Sequence, residues 1–455
     1  MNSSRCILGG LNTVTRSSGF RINNNLFRSY SISGPKASGN FLGKTKTLVY
    51  GVLGISGATF FGFYFSNTRS NIHQYVSTPI LRLFDEEDAH DLSILALEYN
   101  LGPKDRKDDD DCLQIKIWGK TLSNPIGLSA GYDKNARVMD KLLDLGFGAV
   151  EVGSITPEPQ PGNPKKRLFR LVNSNSIINR MGLNNDGIEA CSRRLSIYMS
   201  NKITEESSKT SGLSINGAIN KVYLDNLGQS KKFLGANVSK NSSSDSSDDS
   251  DYLLGIRKLG KFVDYIVVNV SCPNVKNLGS GNDLEKLDKT MRLARAECDS
   301  LGESNSGTKP ALVVKIGPDY SPLELQVISE LALKNNIDGI ITSNTSKSRP
   351  QSVLSSDGSV ASENGGLSGP PIKDISLKTT SLVYKFTQGK IPIIGCGGIS
   401  NAQDVLDYGL AGASFVQVYT AMIYQGPGLA SKLKDDLVKL LDGRKWPDIV
   451  GKGSL

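Results

Sequence analysis

The chain has 455 residues, 38% hydrophobic and 22% charged, which is typical of a globular protein long enough to bury a sizeable core. Its net charge of +8 comes from residues 1–84, which carry nine basic and no acidic residues. The rest of the chain has a net charge of −1, which gives no electrostatic reason to expect a nucleic-acid partner. Six scattered cysteines without a CxxC pair and only two histidines argue against a metal site, a disulfide framework and most Ser-His-Asp or Cys-His hydrolases.

The first sixty-five residues have the pattern of a targeting segment followed by an anchor. Residues 1–36 are rich in Arg, Ser and Asn and lack acids, which is typical of a mitochondrial transit peptide; a disordered basic tail is the alternative. Residues 47–65 carry no charge and are flanked by Lys44, Lys46 and Arg69. At about 1.5 Å per residue they nearly cross a hydrocarbon core of about 30 Å. We interpret them as a single transmembrane helix, since a secretory signal peptide would start earlier and be shorter.

Residues 72–102 come next and predict two short helices on either side of an acidic turn, each with a wide apolar face. These faces could simply pack on the following domain. Their position directly after an apolar span favours a second interpretation, a small lid resting on the membrane and open to an apolar, lipid-borne substrate.

From residue 112 to residue 442 the chain alternates between short β-rich runs and helix-compatible stretches. The runs are nearly continuously apolar, which indicates strands buried on both faces, as in a parallel sheet. Eight such units predict a closed (β/α)8 barrel, the TIM-barrel architecture. The predicted strands cover residues 125–130, 148–155, 233–239, 265–271, 311–317, 339–344, 392–398 and 415–421. Two polar excursions interrupt the series: residues 200–230, and a Ser/Asp run at 239–251 that predicts a solvated loop.

The predicted strands end in polar or small residues, and in this fold the carboxyl ends of the strands form the active face. The glycine-rich end of strand seven and the start of a helix after strand eight are where this fold usually holds a phosphate. Lys315 stands in an otherwise apolar strand, so it forms either a structural ion pair or a cation beside a cofactor ring. Asn269 and Asn344 at strand ends suit a small polar heterocycle with a carboxylate, and Lys134 could neutralise that carboxylate.

Cys272 follows the fourth predicted strand. Lone cysteines are mostly buried small hydrophobes, and this remains one interpretation. The loop closed by Pro273 could instead present the thiol to the site, where its thiolate, with a reference pKa of about 8.5, would accept a proton.

Ten motifs in the same order resemble the quinone-dependent, membrane-bound class of dihydroorotate dehydrogenases, over about residues 72 to 442. They are GLSAGYDKN (127–135), VEVGSITPEPQPGNPKKRLFRL (150–171), INRMGLNNDG (178–187), LGANVSKN (234–241), VNVSCPN (268–274), VVKIGPD (313–319), TSNTSKSRP (342–350), GGLSGPP (365–371), IIGCGGI (393–399) and VQVYTA (416–421).

The resemblance implies oxidation of (S)-dihydroorotate to orotate in pyrimidine biosynthesis, with FMN as hydride acceptor and ubiquinone as final acceptor. It implies a monomer on the mitochondrial inner membrane, a single-pass protein with its catalytic domain outside the matrix. The residues implied to hold FMN are Ser129, Ala130, Gly131, Tyr132, Asp133, Ser154, Asn237, Asn269, Lys315, Ser343, Gly369, Gly398, Tyr419 and Thr420. Those implied to bind substrate are Lys134, Asn179, Arg180, Met181, Gly182, Leu183, Asn269, Val270, Ser271, Cys272, Pro273, Asn274, Asn344 and Thr345. His90 and Arg170 are implied to line a quinone tunnel.

The chain departs from the family pattern at three positions. The membrane-bound class carries serine where this chain has Cys272, the implied catalytic base, and cysteine there is typical of the soluble class. Ser343 replaces a usual threonine, and Leu81 stands where relatives have a quinone-site glutamine. Three alternatives stay open: a barrel dehydrogenase using a soluble acceptor such as fumarate, an FMN barrel acting on another cyclic amide, and a non-catalytic membrane-anchored flavoprotein.

Overall fold

The structure is a computed structural model that describes residues 41–210, 231–245, 247–270, 281–302 and 309–453. The predicted transit peptide and residues 211–230 of the first excursion therefore lie outside the described residues. The chain divides into two compact units between Ala58 and Thr59. A helix runs from Phe41 to Phe65 over the predicted membrane span. By length and hydropathy, no helix in the described part of the chain qualifies as one that crosses a bilayer.

Thirteen strands are present in the described residues: β1 Ile115–Ile117, β2 Lys120–Leu122, β3 Ile126–Leu128, β4 Ala149–Ile155, β5 Leu168–Leu171, β6 Ser176–Asn179, β7 Phe233–Val238, β8 Tyr265–Asn269, β9 Ala311–Ile316, β10 Gly339–Thr342, β11 Gly366–Ser368, β12 Ile393–Cys396 and β13 Ala413–Val418. The α-helices are α1 Phe41–Phe65, α2 Thr78–Leu81, α3 Glu86–Glu98, α4 Met139–Asp144, α5 Gly187–Thr210, α6 Ser250–Leu259, α7 Gly281–Ser300, α8 Pro322–Lys334, α9 Gln351–Asp357, α10 Lys373–Thr387, α11 Ala402–Leu410, α12 Thr420–Gln425, α13 Leu429–Leu441 and α14 Trp446–Ile449.

Eight of these strands form a closed, all-parallel barrel in the order β3-β4-β7-β8-β9-β10-β12-β13. They coincide with the eight predicted runs, so the predicted barrel is confirmed. Strands such as β7 and β9 are buried at every position, which explains why the sequence shows continuous apolar runs instead of alternation. Helices pack around the barrel, and two of them, α8 and α11, begin at capping boxes that stop the preceding loop at a defined residue.

The β1–β2 hairpin, which the sequence did not predict, covers the amino-terminal end of the barrel. Trp118 at its turn packs its ring 5.9 Å from Phe233, 5.4 Å from Tyr265 and 6.2 Å from Phe415, measured between ring centroids. Its indole N–H donates to the carbonyl of Asp338 at 2.8 Å. This aromatic plug closes one end of the barrel with bulky apolar groups.

A second unpredicted sheet stands at the opposite end. It is antiparallel with the order β11-β6-β5, and it brings residues 366–368 beside residues 176–179. Arg170 and Asn179 lie on its strands.

The Ser/Asp run at 239–251 is less solvated than predicted. Asp249 is buried and accepts a hydrogen bond from the hydroxyl of Thr290 at 2.9 Å. Asp251 accepts from the backbone N–H of Asn241 and from the hydroxyl of Ser244, at 2.8 and 2.6 Å. The prediction of a solvated loop agrees with the exposed residues Ser242, Ser243, Asp245, Ser247, Asp248 and Ser250. It was wrong at Asp249, whose carboxylate is buried against Thr290.

Candidate active site

A cavity of about 1410 Å³ opens at the carboxyl ends of the barrel strands and extends to residues 72–102, called the lid below. It brings most of the predicted site residues together. Those lining it are Ser129, Ala130, Gly131, Tyr132, Lys134, Ser154, Asn179, Arg180, Met181, Gly182, Leu183, Asn237, Asn269, Lys315, Ser343, Asn344, Thr345, Gly369, Gly398, Tyr419, Thr420, His90 and Arg170.

Two predicted contacts are not among the residues that line the cavity. The carboxylate of Asp133 is buried and accepts the backbone N–H groups of Arg137 and Val138, both at 2.8 Å, so it organises the loop after β3. Burial raises the pKa of Asp133. Val270 is the second predicted contact that does not line the cavity. The predicted base Cys272 lies outside the described residues. So do its predicted neighbours in the site, Ser271, Pro273 and Asn274.

Lys315 lies inside the upper barrel, where only 5% of its surface is exposed. Its ammonium group donates to the hydroxyl of Ser129 at 3.0 Å, and strand pairing sets it beside Asn269. The thiol of Cys396 lines the same wall, and its burial raises the pKa of this cysteine. A buried ammonium at a cavity wall provides a fixed positive charge in a poorly solvated place, where it acts more strongly than in water.

Three asparagines form what we call the amide edge: Asn237, Asn269 and Asn344. Asn237 accepts the hydroxyl of Ser154 at 2.5 Å. The amide NH2 of Asn269 donates to the Ser154 hydroxyl at 3.5 Å, and the amide NH2 of Asn344 donates to the side-chain oxygen of Asn269 at 3.4 Å. The backbone N–H of Thr345 donates to the side-chain oxygen of Asn344 at 2.8 Å, which orients this amide. The edge can therefore both donate to and accept from a polar ring.

A group of polar residues beneath the amide edge was missed from the sequence. Glu151 and Gln417 lie on β4 and β13, each with at most 1% of its surface exposed, and Gln417 lines the cavity. The two Glu151 oxygens accept from the amides of Asn237 and Gln417, at 2.8 and 2.6 Å. The argument that singled out Lys315, a charge in an apolar strand, would have found Glu151 as well.

The loops after β11, β12 and β13 meet at one side of the cavity. The hydroxyl of Thr420 donates to that of Ser368 at 2.9 Å, and Gly397 and Gly398 line the adjoining wall. Gly398 has a φ of +72°, and a Cβ there would lie 2.7 Å from the Cα of Lys373. Only glycine suits this turn. Hydroxyls and loop backbone at the end of these strands fit the phosphate of a cofactor.

Lys134 lines the cavity between the amide side and the lid. Burial lowers its pKa to about 8, although the nearby carboxylates of Asp91 and Glu87 oppose this shift. An anionic ligand at this position would favour the protonated lysine and raise its pKa again.

The lid is joined to the barrel side by charge-assisted hydrogen bonds. Glu87 and Arg167 form a two-point, largely buried ion pair with distances of 2.6 and 3.2 Å. Arg170 donates to the backbone carbonyls of Arg82 and Phe84. His90 donates through Nε2 to the carbonyl of Tyr132 at 2.8 Å. These contacts hold the two predicted lid helices over the cavity.

The lid contributes both polar and apolar side chains to the cavity and leaves further apolar side chains exposed. Its cavity-facing residues include His73, Leu81, His90, Ser93 and Leu97. Its exposed apolar residues are Tyr75, Val76, Ile80, Leu83, Phe84, Leu92, Leu95, Tyr99 and Leu101. An apolar patch of this kind is typical of a surface that meets a membrane or a partner.

A closed β/α barrel that holds a buried lysine and an amide edge in one carboxyl-end cavity has the architecture of the β/α-barrel enzymes, whose active sites lie at this end of the barrel. The family model described as "Dihydroorotate dehydrogenase" matches residues 112–441. The chain therefore belongs to the dihydroorotate dehydrogenase family, as the motifs predicted.

Individual relatives agree with this assignment. The chain is 39% identical to "Dihydroorotate dehydrogenase (quinone), mitochondrial" of Kluyveromyces lactis, over 99% of both chains. It is 39% identical to the protein of the same name from Schizosaccharomyces pombe, over 93% of this chain and 95% of that one. Among solved structures, the enzyme of Eimeria tenella in complex with ferulenol superposes with a TM-score of 0.72 at 35% identity, covering 81% of this chain and 95% of that chain.

Proposed function

We propose that this protein oxidises (S)-dihydroorotate to orotate in pyrimidine biosynthesis, with FMN bound in the barrel cavity and ubiquinone as the final electron acceptor. The observation that carries the proposal is the single cavity in which Lys315, the amide edge and the inner side of the lid meet. The residues lining this cavity would hold FMN, which would supply a hydride acceptor for the substrate and an electron donor for the quinone.

The residues at hand fit FMN. The hydroxyls of Thr420 and Ser368 and the glycine loop at 397–398 would hold its phosphate, and Lys315 would stand beside its ring system. A fixed ammonium in a buried wall stabilises negative charge that develops during reduction, and it requires no reorganisation to do so.

On the substrate side, the amides of Asn269 and Asn344 would orient the dihydropyrimidine ring, and Lys134 would neutralise its carboxylate. Cys272, which comes two residues after Val270 in the sequence, would remove the proton from C5. This role comes from the sequence and the family pattern. A thiol is far more acidic than the serine hydroxyl of the membrane-bound class, so its conjugate base is available at lower pH.

The lid would admit the quinone from the lipid phase. Its exposed apolar residues would lie against the bilayer, and His90 and Arg170 would line the path to the cavity. The curated relatives are named as mitochondrial proteins, and we propose a monomer at the mitochondrial inner membrane, with its catalytic domain outside the matrix. The membrane-spanning role of residues 47–65 stays a prediction from the sequence.

The pKa of Lys134 predicts how substrate binding depends on pH. Because this lysine loses its charge as the pH rises through about 8, the KM for dihydroorotate should rise above that pH, while kcat should not follow the same curve. Lys134→Met should have a high KM without this rise. Steady-state kinetics over a pH series checks the prediction, and a wild-type KM that stays constant across pH 8 would count against a charge-neutralising Lys134.

The contacts of Arg170 predict that its loss changes the KM for the quinone but not the KM for dihydroorotate. Arg170→Ala removes the bonds to the carbonyls of Arg82 and Phe84, so the lid should loosen and the KM for a short-chain ubiquinone should rise roughly tenfold, as expected for one or two charge-assisted hydrogen bonds. The KM for dihydroorotate should stay the same. Arg349→Ala, which loosens a loop near the amide edge, is the matched control. It should raise the KM for dihydroorotate and leave the KM for the quinone the same.

The choice of acceptor tests the proposed function against its rivals. Purified full-length protein should reduce a short-chain ubiquinone when dihydroorotate is supplied and should not reduce fumarate. Turnover with fumarate alone would support the soluble-acceptor alternative. Bound flavin without turnover on either acceptor would support a non-catalytic flavoprotein.

A further inference from the structure

Glu151 stands at the centre of a buried hydrogen-bonded cluster, and the proposed reaction gives it no task. Its side chain is fully buried, and its two oxygens receive N–H groups from Asn237 and Gln417. Both carboxyl oxygens of Glu151 act as acceptors here, whereas each amide can turn over and exchange its donor and acceptor ends. Glu151 therefore decides which way both amides point.

The first amide passes this direction on to the cavity. Because the NH2 group of Asn237 is turned to Glu151, its oxygen faces Ser154 and accepts that hydroxyl proton at 2.5 Å. A serine hydroxyl has one proton and two lone pairs. Its proton is engaged by Asn237, and one lone pair faces the amide NH2 of Asn269 at 3.5 Å. The Ser154 oxygen can therefore act toward a ligand in the cavity only as an acceptor, through its remaining lone pair.

The amide of Gln417 is oriented by Glu151 in the same way, and its own oxygen is the acceptor. The NH2 group of Gln417 donates to Glu151 at 2.6 Å and to the hydroxyl of Tyr265 at 3.3 Å. Its oxygen is left buried and, among the described residues, without a hydrogen-bond partner. A buried acceptor in this state is unfavourable, and a ligand N–H group would relieve it. We call the oxygens of Ser154 and Gln417 the acceptor floor.

We propose that Glu151 is a positioning residue that fixes the acceptor floor, so that the cavity selects a ring with an N–H group on its buried edge. The chemical class rests on the proposed function, which brings two such rings to the cavity. One is the pyrimidinedione ring of FMN, and the other is the dihydropyrimidine ring of the substrate. Both carry a ring N–H between two carbonyls.

Two binding measurements distinguish these sources. In the first, full-length protein stripped of flavin is titrated with FMN and with 3-methyl-FMN, and flavin fluorescence gives the two dissociation constants. In the second, the flavin-loaded protein is titrated with orotate and with 3-methylorotate. In one of the two titrations, the parent compound should bind at least about tenfold more tightly than its methylated form, as expected for a buried acceptor that loses its donor.

Glu151→Gln should remove this discrimination, because a glutamine can donate to Asn237 or Gln417 and allow either amide to turn over. Tyr265→Phe is the matched control: it alters the same buried cluster without changing the floor, so the ratio of dissociation constants should persist. Ser154→Ala, which deletes one floor oxygen, should reduce the ratio and serves if Glu151→Gln does not fold.

Binding ratios separate this inference from the proposed function. A general packing defect in Glu151→Gln would weaken both compounds of a pair equally and leave their ratio unchanged, and that result would overturn the role of Glu151. Equal binding of parent and methylated compounds in both wild-type titrations would overturn it too. Either result could occur in a protein that still oxidises dihydroorotate, whereas failure of that oxidation leaves the FMN titration interpretable.

Discussion

Replacing Lys315 with methionine is expected to lower kcat for dihydroorotate oxidation by roughly 100- to 1000-fold, the range typical of losing one preorganised electrostatic contact. Methionine fills a similar volume but carries no charge. The buried ammonium is the positive charge in the cavity wall that we expect to compensate the negative charge formed on reduction, and water cannot easily replace it at 5% exposure. Stopped-flow measurement of flavin reduction would report this step directly.

Ser129→Ala is the graded control for Lys315. It removes the hydroxyl that accepts from the ammonium at 3.0 Å but keeps the charge, so the rate should fall by about tenfold or less. Flavin content and thermal stability should be measured for both variants, because the comparison requires loaded, folded protein. A Lys315→Met protein that keeps its flavin and reduces it at nearly the wild-type rate would contradict the proposed role of the lysine.

Replacing Cys272 should have the second-largest effect. Cys272→Ala should lower kcat by roughly 100- to 10,000-fold, the usual contribution of a general base. Cys272→Ser should be slower than wild type but not inactive. A base must lose its proton before it can act, so the rate rises with pH toward a plateau above the pKa of the base. Since a hydroxyl is a much weaker acid than a thiol, the serine variant should need higher pH to reach its plateau.

The pH–rate profiles of wild type and Cys272→Ser, measured as kcat, are the relevant data. Their displacement along the pH axis would identify the thiol as the base. Superimposable profiles would show that another group removes the proton. The KM change expected from Lys134 does not interfere, because it affects binding of the carboxylate and is absent from kcat at saturation.

The sequence was sufficient for the barrel because each strand is buried on both faces. All eight apolar runs became barrel strands, with ends shifted by at most two residues except in the run 415–421, which became Ala413–Val418. The β1–β2 hairpin and the β11-β6-β5 sheet were missed because their short strands are only partly buried, so they show no continuous apolar run of the kind that marks the equally short barrel strands β3, β10 and β12. Strand β11 also pairs with a segment almost 190 residues earlier, which no local pattern reveals.

The site was predictable where a polar residue interrupts an apolar strand end, as at Lys315 and Asn269. Glu151 carries the same signal but lies deeper in its strand, and its partner Gln417 comes from a strand far away in sequence. Asp249 was misjudged because composition alone cannot show that Thr290 reaches its carboxylate. Hydrogen bonds between distant strands depend on the barrel closure itself, so only the folded structure gives them.

The most direct test of the central claim is an anaerobic titration of the purified full-length protein with dihydroorotate, followed by a short-chain ubiquinone. The account predicts that the yellow flavin spectrum bleaches with about one equivalent of dihydroorotate per bound flavin, because each substrate delivers one hydride. The colour should return when the quinone is added. A bound flavin that keeps its oxidised spectrum in excess dihydroorotate would contradict the account.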